Sequence, residues 1–134
     1  MSDAASPSTP DTPERQRAMI DRLERALLHA GGTHRLADVI RLLQEGRAQW
    51  WELGDGCCVT ELRAHPQLRE LNVWLVAGDL DDCMALQGAI EQWARQHGVR
   101  RIVGIGRDGW ERIACAKMGF RRVGVALERW LDGS

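Results

Sequence analysis

Three aspartates lie close together where a predicted strand leads into a predicted helix. The stretch Glu70–Gly98 indicates a buried strand, a turn at Gly78 and an amphipathic helix, and Asp79, Asp81 and Asp82 stand in the turn. Such a junction commonly binds a phosphate, because the first amides of a helix have no partners within it. Aspartates can cap the same amides instead. The sequence leaves two alternatives open: an anion site, or a helix capped by its own carboxylates.

Glu61 is a second residue that could do chemistry, since it is the carboxylate of the alternating segment CCVTELR. A carboxylate in an otherwise apolar strand is a candidate general base. The alternative is an ordinary ion pair on the face of a sheet, with an arginine such as Arg63 or Arg69. The ion pair is the commoner outcome, and catalysis by Glu61 is the hypothesis to test against it.

The segment Arg107-Asp108-Gly109-Trp110 follows a short apolar strand, RIVGIG, and opens the next predicted helix. Ligands bind at the carboxyl ends of strands in open sheets. Asp108 is a natural helix N-cap, and Gly109 permits a tight turn. Arg107 and Trp110 could form a cation–π pair or a recognition surface. We hold recognition and a purely structural role as equal alternatives for this segment.

The four cysteines do not indicate a metal site, because the sequence has no CxxC pair and no histidine at ligand spacing from a cysteine. Adjacent Cys57 and Cys58 would point to opposite faces of a strand, so they cannot chelate one ion together. We predict reduced thiols, as is usual in the cytosol, and we place Cys115 in the core.

Length and charge exclude several classes of protein. The chain has 134 residues and a formal net charge of −1, which gives no bulk attraction to nucleic acid or to a membrane surface. It has no apolar run of transmembrane length, and its N-terminus lacks the regions of a secretory signal. We therefore expect a cytoplasmic protein that binds neither nucleic acid nor membrane.

The elements that must position these side chains follow from hydrophobic periodicity. Residues 1–12, MSDAASPSTPDT, predict a disordered tail, and residues 13–134 predict one domain. The predicted helices lie at about 13–30, 35–44, 80–97 and 110–118. The predicted strands lie at about 49–53, 57–63, 71–76, 101–106 and 120–131. The first three strands should form an antiparallel meander, and the fourth should join in parallel after a crossover. This is an α/β (or α+β) fold, a mixed sheet flanked by helices.

Three phrases in this order resemble the GCN5-related N-acetyltransferase family: the strand ELNVWLVAG, the helix exit IEQWARQHGVRRI and the closing run GRDGWERIACAKMGFRRVGV. The likeness covers about Arg35 to Leu131. It is greatest to small, divergent members in phage and prophage genomes, in which GRxGW also occurs. The resemblance implies the family's sheet truncated at both ends, because a helix from Pro13 stands in place of the first strand and the seventh strand is missing.

The resemblance implies acetyl-CoA as the cofactor if the protein is active, with Glu61 as the base. It also implies these contacts: Leu75, Val76 and Ala77 with the pantetheine arm, then Gly78, Asp82 and Cys83 with the pyrophosphate. The sequence departs from the family at two places. AGDLDDCM replaces the turn R/Q-x-x-G-x-G/A, and no tyrosine is present to act as general acid. We expect a degenerate cofactor site, because carboxylates in the turn repel a phosphate.

Two functions follow from this likeness. The first is transfer of an acetyl group from acetyl-CoA to an unidentified amine. The alternative is a non-catalytic structural or accessory protein of a phage, in the host cytoplasm or the virion, that kept the fold. We also expect a protein partner or self-association, through an exposed sheet edge at Phe120–Leu131 and a tryptophan-rich surface. The tryptophans are Trp50, Trp51, Trp74, Trp93, Trp110 and Trp130.

Overall fold

The computed structural model describes residues 6–29, 31–106 and 109–133. The chain divides into two compact units after Gly104. The first unit contains α1 (Pro13–Leu27), α2 (Leu36–Gln44), β1 (Gln49–Leu53), β2 (Gly56–Ala64), β3 (Arg69–Gly78), α3 (Leu80–Gln96) and β4 (Val99–Gly104). The second unit contains α4 (Trp110–Lys117). The predicted α/β class is confirmed, whereas a single domain over residues 13–134 stays a prediction.

Helix α1 begins where capping chemistry predicts. The Thr12 hydroxyl accepts from the Arg15 amide at 3.2 Å, and Pro13 occupies the first helical position of α1. This is the usual arrangement at a helix start, since proline has no N–H to leave unpaired. In the described ranges, no helix combines the length and the apolarity that a membrane span requires.

The sheet of the first unit has the strand order β1-β2-β3-β4. β1 pairs with β2 and β2 with β3 in antiparallel ladders, and the turn Gly54-Asp55 joins the first pair. β4 pairs with β3 in parallel after the chain has crossed over through α3. The predicted meander and the predicted parallel crossover are both confirmed.

Each face of this sheet has its own apolar core. Helices α1 and α2 cover one face, whose core includes Met19, Leu23, Val39, Leu43, Trp50, Val59 and Leu75. Helix α3 covers the other face, whose core includes Trp51, Cys58, Leu71, Leu86, Ile90 and Ala94. Adjacent Trp50 and Trp51 point to opposite faces, and both are buried under helices of the same unit. Neither indole is therefore available to the tryptophan-rich surface that the sequence predicted.

The strand predicted at Phe120–Leu131 is wrong. Residues 119–130 form neither helix nor strand, and Val123, Val125 and Leu127 are 83%, 65% and 91% exposed. An alternating pattern specifies a strand only where a neighbouring strand supplies the hydrogen bonds. The described part of the second unit contains no strand that could do so. The sheet edge that we expected at this segment is therefore absent from the structure.

The residues before α1 contact the sheet. The Ser8 amide donates to the Trp50 carbonyl at 3.1 Å. Pro10 is buried, and its carbonyl accepts from the Gln16 side chain at 3.2 Å. Among the described residues no strand precedes α1, as the sequence indicated. Disorder over residues 1–12 stays a prediction.

The two buried tryptophans of β1 provide a matched test of core polarity. The Trp51 indole donates to the Thr60 hydroxyl at 3.0 Å, whereas the buried Trp50 indole N–H has no hydrogen-bond partner among the described residues. We expect Trp51→Phe to lower the free energy of unfolding more than Trp50→Phe, by about 1 kcal/mol or more, because only Trp51 loses a hydrogen bond. Urea unfolding of both variants checks this, and an equal or reversed order would contradict it.

Candidate functional site

Strand β3 is longer than β4, and this difference opens the candidate site. The parallel ladder runs from Arg69 opposite Val99 to Val73 opposite Gly104, where β4 ends. β3 continues through Trp74–Gly78 and pairs with β2 to its end. Along this segment one edge of β3 therefore carries main-chain groups outside the sheet ladder. An extended ligand can pair with such an edge, and the segment includes the three residues predicted for a pantetheine arm.

A bulge at Trp74 lies next to the point where the parallel ladder between β3 and β4 ends. The register between β2 and β3 shifts so that Trp74 has no partner residue between Val73 and Leu75. Trp74 and Leu75 both pack on the face covered by α1 and α2, whereas Val73 packs on the other face. Bulges of this kind redirect side chains beside active sites. Here the bulge directs the Trp74 indole to the α1–α2 face, next to the edge of β3 that lies beyond the parallel ladder.

Glu61 lies on the same face, close to the end of the parallel ladder. It follows Val59 of the α1–α2 core at a spacing of two and stands opposite Asn72. One carboxylate oxygen accepts from Asn72 Nδ2 at 3.0 Å and from Arg63 Nη2 at 2.9 Å. The structure thus contains the ion pair with Arg63 and also places the carboxylate beside the site. The role of Glu61 as a base stays a prediction.

A second carboxylate on this face escaped the sequence reasoning. Glu70 has only 6% of its side chain exposed, and it accepts from His65 Nε2 at 2.9 Å and from Arg101 Nε at 2.7 Å. These hydrogen bonds, that of His65 first, hold the pKa of Glu70 below its ordinary value. The signal was present, since Glu70 and Asn72 are the polar residues at alternate positions of an otherwise apolar strand.

Helix α3 is capped by its own aspartates. The Asp79 carboxylate accepts from the Asp82 amide at 3.0 Å, and the Asp82 carboxylate accepts from the Asp55 amide at 2.9 Å. The Asp79 amide in turn donates to the Asp55 carbonyl at 3.2 Å. The amides of Asp79 and Asp82 are therefore committed within the chain. Of the two alternatives for this junction, the structure shows the self-capped helix.

The turn between β1 and β2 packs directly on this junction. Gly78 has a φ of 98°, and a Cβ added there would lie 1.7 Å from the Asp55 carbonyl oxygen. A Cβ added at Gly56 would lie 2.7 Å from the Cys83 amide nitrogen. Both positions need glycine because backbone meets backbone. The contacts predicted between Gly78, Asp82, Cys83 and a pyrophosphate stay a prediction, and hairpin backbone packs against all three residues.

The thiols near the junction are inert. Burial raises the pKa of Cys57 to about 11 and also raises the pKa values of Cys58 and Cys83. Such thiols stay protonated at neutral pH and are poor nucleophiles. Cys115 in α4 is exposed, so its placement in the core was wrong.

The recognition segment is described only in part. Arg107 and Asp108 lie outside the described residues, so their predicted part in recognition stays a prediction, but the N-cap position of α4 that was predicted for Asp108 belongs to Gly109. Gly109 has a φ of 95° and is the N-cap residue of α4, and Trp110 is the first residue of that helix and is half-buried. The positive φ explains the glycine.

Solved structures of acetyltransferases have a fold similar to that of this chain. A predicted acetyltransferase from Clostridium acetobutylicum, solved with acetyl-CoA, has a TM-score of 0.69 at 10% identity, covering 92% of this chain and 95% of that one. An aminoglycoside acetyltransferase from an uncultured soil metagenomic sample has a TM-score of 0.66 at 15% identity, over 95% and 97% of the two chains. An acetyltransferase of Trypanosoma brucei has a TM-score of 0.64 at 11% identity, over 84% and 92%. Neither a family model nor a curated protein sequence matches the chain.

The chain therefore has the fold of the GCN5-related N-acetyltransferases. Acetyl-CoA fits this chain in one part and not in another. The edge of Trp74–Gly78 that faces away from β2 suits the extended pantetheine arm, because its main-chain groups lie beyond the ladder between β3 and β4. The first turn of α3 suits the pyrophosphate poorly, because the Asp82 amide already donates to the Asp79 carboxylate and the carboxylates of the turn are negative. The chain thus has an acetyltransferase fold in which an aspartate of the chain, Asp79, caps the start of α3.

The depressed pKa of Glu70 predicts acid sensitivity. The contribution of Glu70 to stability is fully present above the pKa of an unfolded glutamate, about 4.3, and is lost as the pH falls through the lower folded pKa. Glu70→Gln should lower the free energy of unfolding at pH 7 by about 1–2 kcal/mol, and the gap to the natural chain should narrow as the pH falls below the pKa of an unfolded glutamate. Urea unfolding at several pH values tests this, with exposed Glu45→Gln as the control. A gap that does not change with pH would contradict the prediction.

Proposed function

We propose that this protein is an N-acetyltransferase that transfers the acetyl group of acetyl-CoA to an amine and binds the cofactor weakly. The end of the β3–β4 ladder at Val73, beside the Trp74 bulge, carries the proposal, because β3 continues beyond it and leaves a binding edge of the right kind within the fold of acetyltransferases. The altered turn at α3 is the reason for expecting weak binding.

The chain's own groups have distinct roles in this proposal. The backbone of Leu75, Val76 and Ala77 pairs with the extended arm, and Gly78 keeps the hairpin turn close to the end of β3. Glu61 accepts a proton from the ammonium form of the acceptor, so that the amine can attack. Asn72 and Arg63 hold the carboxylate in place by their hydrogen bonds. When bound, acetyl-CoA supplies the acetyl group and the leaving thiolate.

The solved structures support an amine as the acceptor. Among the similar proteins is an aminoglycoside acetyltransferase that was solved with sisomicin, at a TM-score of 0.65 and 11% identity. We carry over only the class of acceptor, because the likeness at this identity is one of fold. A phage or prophage origin, a place in a virion and a cytoplasmic location stay predictions from the sequence.

A second function is favoured by one observation. The same aspartates that cap α3 occupy the place where phosphates would bind, which is the state expected of a protein that kept the fold and lost the cofactor. In that case the protein is a binding or accessory protein without catalysis. The two functions differ in whether acetyl-CoA binds at all.

Neutralising the acidic turn should therefore strengthen cofactor binding. The triple variant Asp79→Asn, Asp81→Asn, Asp82→Asn removes three charges and keeps a side-chain oxygen at the cap and at the Asp55 amide. We expect acetyl-CoA to bind this variant at least about 100-fold more tightly, because a like charge about 5 Å away costs roughly 3 kcal/mol at an effective dielectric of about 20. Calorimetric titration measures this.

The control for that titration is Glu45→Gln, which removes an exposed carboxylate that pairs with Arg47 in the α2–β1 connection. Its affinity for acetyl-CoA should equal that of the natural chain. If neither the natural chain nor the triple variant binds acetyl-CoA at millimolar concentration, transfer is excluded and the non-catalytic function is left. Binding by both with equal affinity would show that the carboxylates are not the obstacle.

Glu61→Gln tests the base. We expect kcat/KM for acetyl transfer to fall about 100-fold at neutral pH, with a smaller loss at high pH, where the amine is already deprotonated. The matched control is Arg63→Gln, which removes the ion pair and keeps the carboxylate. The pH–rate profiles of both variants are compared. Equal losses, or a loss that does not vary with pH, would assign Glu61 a structural role.

A further inference from the structure

We propose that the α1–α2 face beside the bulge recognises a cationic acceptor, with its ammonium group held between the Trp74 indole and the Glu61 carboxylate. The inference rests on the proposed function in naming the acceptor of that site. The inference does not depend on whether the first turn of α3 can bind a phosphate. Tryptophan is the best aromatic partner for a cation, and a carboxylate alongside adds charge attraction.

The backbone places the two groups on one patch of the sheet. Glu61 stands directly opposite Asn72, and Trp74 follows Asn72 by two residues and points to the same face. Such diagonal neighbours on adjacent strands lie about 7–8 Å apart, a separation at which one small ammonium group can contact both long side chains. Both side chains are partly accessible, and that of Glu61 is 27% exposed.

The indole is held in place before any ligand arrives. The His34 ring packs on Trp74 with ring centroids 4.3 Å apart and planes at 61°. His34 Nδ1 lies 2.7 Å from the Thr33 hydroxyl oxygen, which orients the imidazole. A ring already held in one orientation loses less conformational entropy on binding. The connection between α1 and α2 thus supplies the support for the cation-binding face.

The carboxylate is held in a comparable way. Asn72 is 8% exposed and donates to Glu61, so the amide fixes the carboxylate from the buried side. Arg63 pairs with the same oxygen from a side chain that is 48% exposed. Exposed ion pairs of this kind contribute little, and Glu61 therefore keeps its attraction for a cation that arrives from solvent.

The test uses two probes that differ in charge and share one shape. Choline carries a quaternary ammonium group, and 3,3-dimethylbutan-1-ol replaces its nitrogen by carbon. Each is titrated into the ¹⁵N-labelled protein, and the indole N–H signals are followed by NMR, with that of Trp74 assigned through Trp74→Phe. We expect choline to shift the Trp74 signal and to bind at least fivefold more tightly than the alcohol.

Variants separate the two contacts. Trp74→Leu and Glu61→Gln should each weaken choline binding at least fivefold, and Glu61→Gln should leave binding of the neutral alcohol unchanged. Glu61→Gln keeps the test decisive if loss of the indole disturbs the fold, because its side chain is partly exposed. The control is Trp130→Leu, which removes another exposed indole that lies beside a carboxylate, that of Glu128 at 3.0 Å. Choline binding should not change in it.

Equal affinity for the two probes overturns the inference, and so does a choline shift confined to indoles other than Trp74.

Failure of the proposed function is distinguishable from either result. If choline binds at Trp74 but no amine is acetylated, the transferase proposal fails and the cation site stands. If acetyl transfer is equally efficient to an alkylammonium and to a neutral aromatic amine, and Trp74→Leu does not alter it, transfer stands and the cation site fails.

Discussion

The first unit depends on the hydrogen bonds that join the β1–β2 turn to the start of α3. Asp55 donates to the Asp82 carboxylate and accepts from the Asp79 amide. These bonds set where the crossover helix begins relative to the hairpin. The carboxylates also complement the positive end of the helix. On the proposed function, a phosphate would need amides at this same junction, so the bonds that position α3 would compete with cofactor binding.

This competition explains how the fold can be kept while the first turn of α3, where a phosphate would bind, changes in sequence. The proposed function has main-chain groups of Trp74–Gly78 bind an extended arm, and those groups depend little on which side chains the strand carries. A phosphate is recognised by free amides, and a few side chains in one helical turn decide whether those amides are free. The arm site would therefore tolerate sequence change that the first turn of α3 would not. Likeness of fold at low identity therefore gives no information on whether the amides at the start of α3 can bind a phosphate.

Local chemistry accounts for what the sequence predicted well. Thr12 and Pro13 start α1, Asp79 caps α3, and alternation sends Trp50 and Trp51 to opposite faces, because each of these depends on residues close together in the chain. The bulge at Trp74 was invisible, because a shift of register within an apolar run leaves no mark on the pattern.

The misses have one physical cause in common. Glu70 finds Arg101 from β4 across the sheet, and no local pattern indicates that partner. The segment at Phe120–Leu131 has the alternation of a strand, but it forms no strand and its apolar side chains are exposed. Exposure of Cys115 likewise depends on what packs against α4. Each of these outcomes depends on a contact with another part of the chain.

The segment before α1 has a consequence for solubility. The outer edge of β1 would offer its carbonyl groups to any passing strand, and such edges template aggregation. Ser8 already donates to the carbonyl of Trp50, and the neighbouring Pro7 and Pro10 have no N–H with which to extend a ladder. The short segment therefore blocks addition of a foreign strand at this edge without becoming a strand itself. Ser8 and the two prolines thus protect the β1 edge of the sheet.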